Sequence, residues 1–382
     1  MATPVPLGHL HGGQGLTAAA RDAEVLIAGG GPAGTAAAIT LARAGRSVLL
    51  VEREAAAREK VCGEFLGADA VGCLHALGVD PRALGGAPIA AAGIARRGGG
   101  QARMALPFLA WGLPRATLDE ALLAAAGAAG ATVLRGQAVR DAARDGPGWS
   151  LRLADGTMLR GPCLVLATGK HALRGIPRAG APEGWIGAKL HLRLRAPLDA
   201  VTLLPCGTGY AGLQPSADGQ ANLCAALAPG QAAAARDAKG FMALVAAGSG
   251  LAASLLDGAE PCMPRPLTVA GVPYGYLHRD GPGADPALMR VGDQFAVIPS
   301  FLGDGMAMAL AGGIAAAEAI LAGQAAPDFH AAWHHRLAGP MRIASIAGFA
   351  LRHAPGLFAG VMAHAPGLAR MIVRRTRVIT PP

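Results

Sequence analysis

The chain has 382 residues, of which 52% are hydrophobic and 15% are charged. This length and composition predict a large buried core and more than one domain. The net charge of +9 is carried almost entirely by arginine, since the lysines are limited to Lys60, Lys170, Lys189 and Lys239. Such a balance can indicate nucleic acid, an anionic membrane or acidic ligands. Because only 4% of the residues are aromatic, platforms for stacking bases are scarce, and we exclude nucleic acid as a partner.

The six cysteines form no C-x-x-C pair and no metal-ligand spacing with histidine, so we expect no metal site and a reducing, cytoplasmic environment. Residues 1–21 are rich in glycine, alanine and proline and lack the basic and apolar segments of a signal peptide. We therefore predict a disordered tail there. Glycine, proline or charge interrupts every apolar run before it reaches the length of a membrane span.

Residues 24–53 follow the pattern strand, glycine turn, helix, strand, and the second strand ends before a glutamate. In a G-x-G-x-x-G turn the first glycine makes the tight bend, the second lets the backbone approach a pyrophosphate, and the third lets helix and strand pack closely. A proline suits the first helical turn, and a carboxylate after the second strand suits ribose hydroxyls. The predicted dinucleotide-binding residues are Gly29, Gly31, Pro32, Ala33, Gly34, Glu52 and Arg53. At this point NAD and FAD are equally compatible with the pattern.

The loop after this unit contains the sequence Lys60-x-Cys62-Gly63-Glu64. Gly63 would let the backbone approach a flat ligand, and Cys62 would then face that ligand. The alternative is a small buried thiol beside a turn, which is the usual setting of a cysteine. We retain Cys62 as a candidate catalytic residue and both residues as candidate cofactor contacts.

A helix is predicted over residues 115–127, with Thr117 as its N-cap and Glu120 completing a capping box. Arg115, directly before the expected cap, could reach a cofactor phosphate or ribityl group, or it could be a solvated arginine at a helix start. A strand over residues 131–134 follows, and Val139 continues the strand pattern.

A fully apolar strand over residues 163–167 ends at Thr168 and Gly169, which would face the ligand crevice of a parallel sheet. Residues 185–285 have the character of an antiparallel sheet that covers this crevice. Within it, leucines alternate with charged residues over 189–195, which predicts a half-buried strand. The small and apolar residues of this section predict a small apolar organic substrate. His191 and Tyr210 could line its pocket or be ordinary sheet residues.

A third motif begins where a strand ends in Gly-Asp and a glycine-rich turn opens a helix over residues 306–321. A carboxylate at a strand end suits a sugar-alcohol hydroxyl, and the glycines would present backbone amides to an electron-accepting ring. The positive end of the helix would stabilise a reduced, anionic ring. The candidate residues of this segment are Gly292, Asp293, Pro299, Gly303, Gly305 and Met306.

Together these motifs resemble an FAD-dependent oxidoreductase, most closely the geranylgeranyl-reductase-like branch of the para-hydroxybenzoate hydroxylase superfamily. The resemblance is carried by the glycine turn with Glu52, the Lys60-x-Cys62-Gly63-Glu64 loop, Arg115-x-x-Leu118-Asp119, Ala167-Thr168-Gly169 and the segment from Gly292 to Met306. It implies an α/β fold (α+β overall), in which a glutathione-reductase-type, Rossmann-like FAD-binding domain carries an inserted antiparallel β-sheet substrate domain and a helical C-terminus. It also implies adenosine at Glu52, pyrophosphate at residues 29–34, ribityl contacts at Asp293 and the flavin ring near residues 303–306.

The expected limits are a disordered tail over residues 1–21, an FAD-binding domain over 22–184 and 286–325, a β-sheet substrate domain over 185–285, and C-terminal helices over 326–382. The basic segment 370–379 could contact an anionic membrane or a carrier protein, or pack as a helix on its own domain. The oligomeric state is not predicted.

The chain departs from the related groups at several points. Thr168-Gly169 stands where group A hydroxylases usually carry Asp-Gly. The aromatic-rich segment of archaeal prenyl reductases is represented here only by Tyr210–Pro215, which has one aromatic residue. The tryptophan-rich segment of flavin halogenases is absent from the sequence. We expect hydroxylation of an apolar or phenolic metabolite with NAD(P)H and oxygen. The alternatives are reduction of a carbon–carbon double bond, with Cys62 as a proton or redox participant, and a flavin-binding partner subunit without turnover.

Overall fold

The computed structural model describes residues 22–96, 100–170, 172–178, 184–353 and 377. The predicted tail over residues 1–21 and the basic C-terminal segment, apart from Arg377, lie outside the described residues. Among the helices within these ranges, none combines the length and the apolar character needed to cross a lipid bilayer.

The described residues form the following strands and helices. In order, the strands are β1 Val25–Ala28, β2 Val48–Glu52, β3 Phe65–Leu66, β4 Ala87–Ala95, β5 Gln101–Gly112, β6 Thr132–Arg135, β7 Val139–Asp145, β8 Gly148–Leu153, β9 Met158–Gly161, β10 Cys163–Leu166, β11 Trp185–Arg193, β12 Ala200–Cys206, β13 Gly209–Pro215, β14 Ala221–Leu227, β15 Glu260–Pro261, β16 Leu267–Val272 and β17 Leu288–Arg290. The helices are α1 Pro32–Arg43, α2 Ala68–Ala76, α3 Arg115–Ala128, α4 Ala238–Ala246, α5 Gly250–Leu256, α6 Gly305–Leu321 and α7 Ala326–His353.

A parallel five-stranded sheet, in the order β17-β10-β1-β2-β6, forms the first layer. β1, β2 and β17 are buried along their whole length, as expected for a sheet covered on both faces. Helix α1 packs against the sheet and against α6 and α3. This layer, combined with the antiparallel sheets, confirms the predicted α/β fold class.

A second sheet of nine strands runs in the order β15-β11-β14-β13-β12-β4-β5-β3, with β16 also pairing with β11. Its pairs are antiparallel except for β12 with β4. Strands β3, β4 and β5 were not predicted from the sequence. These strands precede α3 in the chain, yet they join the strands of residues 185–285. β4 is rich in alanine, which has a low β-propensity, so local sequence carried little signal for it. The predicted domain limits stay a prediction.

Two local predictions are wrong. Helix α3 begins at Arg115 with Pro114 at the N-cap position, so Thr117 lies inside the first turn and forms no capping box. The strand predicted as half-buried, β11, is buried on both faces from Gly187 to Leu192. The charged side chains on its second face are covered by the loop that contains Cys62, because Lys189 and His191 both contact Glu64.

The glycine turn after β1 has no room for side chains at two positions. A Cβ at Gly34 would lie 1.9 Å from the carbonyl oxygen of Gly29, and a Cβ at Gly29 would lie 2.3 Å from the carbonyl oxygen of Ala167. Gly29 also has a φ of 112°, which favours glycine. Gly34, the third glycine of the motif, therefore allows α1 to pack closely on the sheet.

We expect Gly34→Ala to lower the free energy of unfolding by at least about 1–3 kcal/mol, since backbone on both sides must move to admit the methyl group. Urea denaturation measures the change. Gly127→Ala is the matched control, because it is also a helical glycine and nothing lies within 4 Å of its added Cβ. That control should be neutral or stabilising by roughly 0.5–1 kcal/mol. Equal stability of Gly34→Ala and the unaltered protein would contradict the packing role.

Candidate active site

A cavity of about 680 Å³ lies between the carboxyl ends of the parallel strands and one face of the nine-stranded sheet. It brings together most of the residues predicted from sequence. Those that line it are Gly29, Gly31, Pro32, Ala33, Glu52, Arg53, Cys62, Gly63, Arg115, Val139, Thr168, Gly169, Tyr210, Gly292, Asp293, Gly303, Gly305 and Met306. Gly34, His191 and Pro299 are not among the lining residues. Ligand binding at the ends of parallel strands is the general rule for such sheets.

At one end of the cavity, the glycine turn leaves backbone accessible. A Cβ at Gly31 would meet nothing closer than the Arg115 Nη2 atom at 3.8 Å, so this position is open to a ligand. The Glu52 carboxylate accepts hydrogen bonds from the Gly30 N–H at 2.8 Å and the Glu54 N–H at 3.1 Å. Its orientation is therefore held before any ligand arrives. Its role toward ribose hydroxyls stays a prediction.

Cationic side chains surround the same end. Arg115 makes a two-point ion pair with Asp119, with both N–O distances at 2.9 Å, and Lys60 lies 2.9 Å from the same carboxylate. Lys170 lies 3.2 Å from Asp293. The carboxylate of Asp293 raises the pKa of Lys170, although burial opposes the shift. These cationic side chains suit a diphosphate.

The residues present fit the pyrophosphate of FAD, because an open glycine backbone and several cations meet at one end of the cavity. Lys60 and Lys170 were not predicted as site residues from the sequence. The scarcity of lysine could have pointed to them, because the chain has only four lysines. Three of these, Lys60, Lys170 and Lys189, lie at or directly behind the cavity.

The loop that carries Cys62 is fixed by hydrogen bonds from both sides. The Glu64 backbone N–H donates to the Cys62 Sγ atom at 3.3 Å. The Asn222 side-chain amide, on β14, donates to the carbonyl oxygens of Cys62 and Gly63 at 3.1 and 2.9 Å. Glu64 itself has a φ of 60°, an uncommon value for a residue with a side chain. The surrounding contacts therefore hold the loop in one conformation with Cys62 at the cavity wall.

A buried ionic cluster lies behind this loop. The Glu64 carboxylate accepts from the Lys189 Nζ atom, from the Arg115 backbone N–H at 3.1 Å and is 2.9 Å from the His191 Nε2 atom. Lys189 also pairs with Glu59. The side chains of Glu64 and Lys189 are both 0% exposed. Burial alone would raise the pKa of Glu64, but His191 and Lys189 outweigh it and lower that pKa.

Two substrate-pocket predictions require correction. His191 does not line the cavity, because its ring lies against Glu64 and completes the hydrogen bonding of that buried carboxylate. Pro299 contacts α7, where a Cβ on Gly348 would lie 3.7 Å from the proline Cβ atom. Tyr210 does line the cavity.

The other end of the cavity is apolar. Gly303 has a φ of 74°, and a Cβ there would lie 2.4 Å from the Phe65 ring. Arg377 lies over the Phe108 ring at 4.3 Å and pairs with Asp304 at 3.2 Å, so its charge is neutralised where it reaches the cavity. We call this part the apolar lobe, and its walls include Ile94, Met104, Leu106, Val201, Leu203 and Phe301.

A histidine–carboxylate cluster outside the cavity has the composition of a metal site, with His278, Asp280 and His330 close together. The Arg290 backbone N–H donates to the His330 Nε2 atom at 2.9 Å, so the proton of that ring is on Nδ1, which faces Asp280 at 2.8 Å. Burial lowers the pKa of His330 to about 4, although Asp280 opposes this shift. A neutral ring that donates from Nδ1 supports a structural hydrogen-bond network at this position.

We expect Glu64→Gln and Lys189→Met each to lower the free energy of unfolding by about 3–5 kcal/mol, because each removes one of the few charged partners of a buried charge. The double variant should lose less than the sum of the two. Urea denaturation at constant pH gives these values. Arg195→Ala is the control, since Arg195 and Asp257 are 71% and 69% exposed and their pair should contribute at most about 1 kcal/mol. Losses no larger than the control would show that the buried pair does not hold the loop.

Comparison with known proteins agrees with this geometry. Residues 22–159 match the model of the FAD binding domain family. The menaquinone reductase of Mycolicibacterium smegmatis is 30% identical over 350 residues, which span 81% of this chain and 79% of that protein. The menaquinone reductase of Mycobacterium tuberculosis H37Rv is 32% identical over 229 residues, 53% of this chain and 54% of that protein.

Solved structures show the same fold. The flavin-dependent brominase Bmp2 superposes with a TM-score of 0.77 at 21% identity, covering 93% of both chains. PqsL of Pseudomonas aeruginosa, in complex with 2-aminobenzoylacetate, gives a TM-score of 0.70 at 21% identity, covering 89% of this chain and 99% of that chain. The chain is an FAD-dependent oxidoreductase and belongs to the family that includes the menaquinone reductase of M. smegmatis.

Proposed function

We propose that the protein reduces a carbon–carbon double bond in an elongated apolar substrate, such as the prenyl tail of a quinone. The observation that carries this proposal is the placement of Cys62, which is fixed at the wall of the cavity. The lining of that cavity runs from the cationic end to the apolar lobe. The relative named menaquinone reductase supports a substrate of this kind. The resemblance to the geranylgeranyl-reductase-like branch, which rests on the same loop, points to the same chemistry.

The chain supplies binding and orientation for the cofactor. Gly31 offers backbone, and Arg115, Lys60 and Lys170 offer positive charge to the diphosphate of FAD. The N-terminus of α6, at Gly305, lines the same cavity and adds a positive helix end. When bound, FAD would accept a hydride from a nicotinamide donor, which we expect to be NAD(P)H, and pass it to a substrate carbon.

The second carbon of the double bond must receive a proton. Cys62 is the candidate for this role, because its thiol is half-buried at the cavity wall. The Arg115 side chain lies next to the thiol. Burial would lower the pKa of Arg115, but Asp119 and Cys62 outweigh it and raise that pKa. Arg115 therefore places a positive charge beside the sulfur of Cys62.

Hydroxylation of a phenolic ring is the second candidate, and the hydroxyl groups of Tyr210, Tyr274 and Ser300 in the cavity lining favour it. These groups would suit a phenolic oxygen. A partner subunit without turnover is not retained, because the family is one of enzymes. Contact of the basic C-terminus with a membrane or a carrier protein stays a proposal, since that segment lies outside the described residues apart from Arg377.

The test of the reaction is turnover without oxygen. We expect the purified protein to be yellow and, under strict anaerobiosis with NADPH, to add two hydrogen atoms to a menaquinone that carries two prenyl units. Mass spectrometry in deuterated water should place at least one solvent-derived deuterium on carbon in the product, and a second where the hydrogen on the reduced flavin exchanges with solvent before transfer. A product that gains one oxygen atom only in air would support hydroxylation and reject the reductase, and a colourless protein would count against FAD.

We expect Cys62→Ala to lower kcat for this reduction by about 10²-fold, the lower end of what a positioned proton donor contributes. Its flavin content, read from the visible absorbance, should be unchanged. Cys262→Ala is the control, because Cys262 is exposed and does not line the cavity. Unaltered turnover in Cys62→Ala would reject the role of the thiol while leaving the overall reaction in place.

A further inference from the structure

Three hydroxyl groups meet in the cavity. The Tyr210 Oη atom, from β13, lies 2.9 Å from the Ser300 Oγ atom. The Tyr274 hydroxyl, two residues after β16, donates to the same serine oxygen at 3.2 Å. All three residues line the cavity, and we call them the hydroxyl triad. Ser300 lies in a short helical turn that leads to Gly303 and then to α6.

The two tyrosine rings of the hydroxyl triad have mainly apolar neighbours, and Ser300 itself is exposed at the cavity. Tyr210 is 5% exposed, and its ring packs edge-on against Phe301 at 5.7 Å. The Tyr274 ring lies 6.5 Å from that of Trp185. Burial raises the pKa of both tyrosines well above the ordinary value, although hydrogen bonds from Ser300 oppose the shift. The hydroxyl triad is therefore neutral and fully protonated near pH 7.

One hydroxyl hydrogen of the hydroxyl triad is not used in hydrogen bonds between its three members. Three hydroxyls carry three hydrogens, and the two oxygen–oxygen contacts use two of them. The backbone N–H groups of Ser300 and Phe301 stabilise negative charge on the Tyr210 oxygen, so this oxygen is an acceptor for them. Either hydroxyl of the Tyr210–Ser300 contact can donate, and we assign Tyr210 as the donor because Tyr210 is buried while Ser300 is exposed at the cavity. With both tyrosines donating, the remaining hydrogen belongs to Ser300, which lines the cavity.

We propose that the Ser300 hydroxyl holds a carbonyl oxygen on the ring of the substrate, as in a quinone, and that the two tyrosines orient it. A neutral donor in an apolar setting suits a neutral acceptor, because transfer of an anion to such a place is unfavourable without a paired cation. The lysines and Arg115 lie at the cationic end, and Arg377 is paired with Asp304. Ser300 would thus bind the ring of the substrate whose prenyl tail is reduced. This role rests on the proposed function in one respect, since it requires that an apolar ring enters the apolar lobe.

The test uses binding alone. Menadione carries the ring carbonyls but no prenyl tail, and methylnaphthalene has the same ring system without oxygen. Titration of either probe into the FAD-loaded, oxidised protein is followed through the flavin absorbance. We expect Ser300→Ala to weaken the binding of menadione by about tenfold, which corresponds to about 1.4 kcal/mol. The affinity for methylnaphthalene should not change.

Tyr210→Phe and Tyr274→Phe, which keep the ring, should each weaken menadione binding by a smaller factor and leave methylnaphthalene unaffected. Ser254→Ala, an exposed position on α5, is the matched control and should bind both probes as the unaltered protein does. Equal binding of menadione by Ser300→Ala and the unaltered protein would overturn the proposal. So would a loss of affinity for both probes alike, or a failure of the unaltered protein to bind menadione.

The outcome is separable from that of the reductase proposal. A protein that binds menadione through Ser300 but leaves prenyl double bonds intact retains the ring anchor and rejects the reduction. A protein that reduces the tail but binds menadione independently of Ser300 retains the reduction and rejects the anchor.

Discussion

The buried ion pair between Glu64 and Lys189 is the interaction on which the arrangement of the site depends. Taking each charge out of water costs several kcal/mol, roughly, and only close contacts with further polar partners offset it. Those partners are His191, Glu59 and the Arg115 backbone. They belong to the loop, to β11 and to the start of α3. The pair therefore ties the loop that carries Cys62 to the nine-stranded sheet and to the helix beside the glycine turn.

The cavity that results has a gradient of polarity along its length. Fixed cations and open backbone amides lie at the ends of β1, β10 and β17, and apolar side chains from the nine-stranded sheet form the opposite wall. A charged dinucleotide is favoured at one end and an apolar ring or chain at the other, because an unpaired charge is costly in an apolar setting. Cys62 is fixed at the wall of the same cavity, and the hydroxyl triad supplies polar groups beside the apolar lobe.

Local sequence predicted those parts of the site that are formed by residues close together along the chain. The glycine turn, the helix after it and Glu52 lie within one short unit, and the strand end at Gly292-Asp293 is followed directly by its turn. Predictions were wrong where distant contacts decide. Helix α3 begins at Arg115 and not after Thr117, and the Arg115 backbone N–H donates to Glu64 of the distant loop. Strand β11 is not half-buried because that loop, more than a hundred residues earlier, covers its charged face.

The sequence by itself determined a parallel βαβ unit with a dinucleotide-binding turn, a cysteine-containing loop after it and a second glycine-rich segment before α6. Residue types and short spacings are enough to recognise these features, because each lies within one short segment of the chain. Only the tertiary structure decided that β4 and β5 join the sheet of residues 185–285, that His191 serves Glu64 and not the pocket, and that Tyr274 meets Tyr210 at Ser300. Pairing of strands and burial of charge depend on which segments meet in space, and no local periodicity records that.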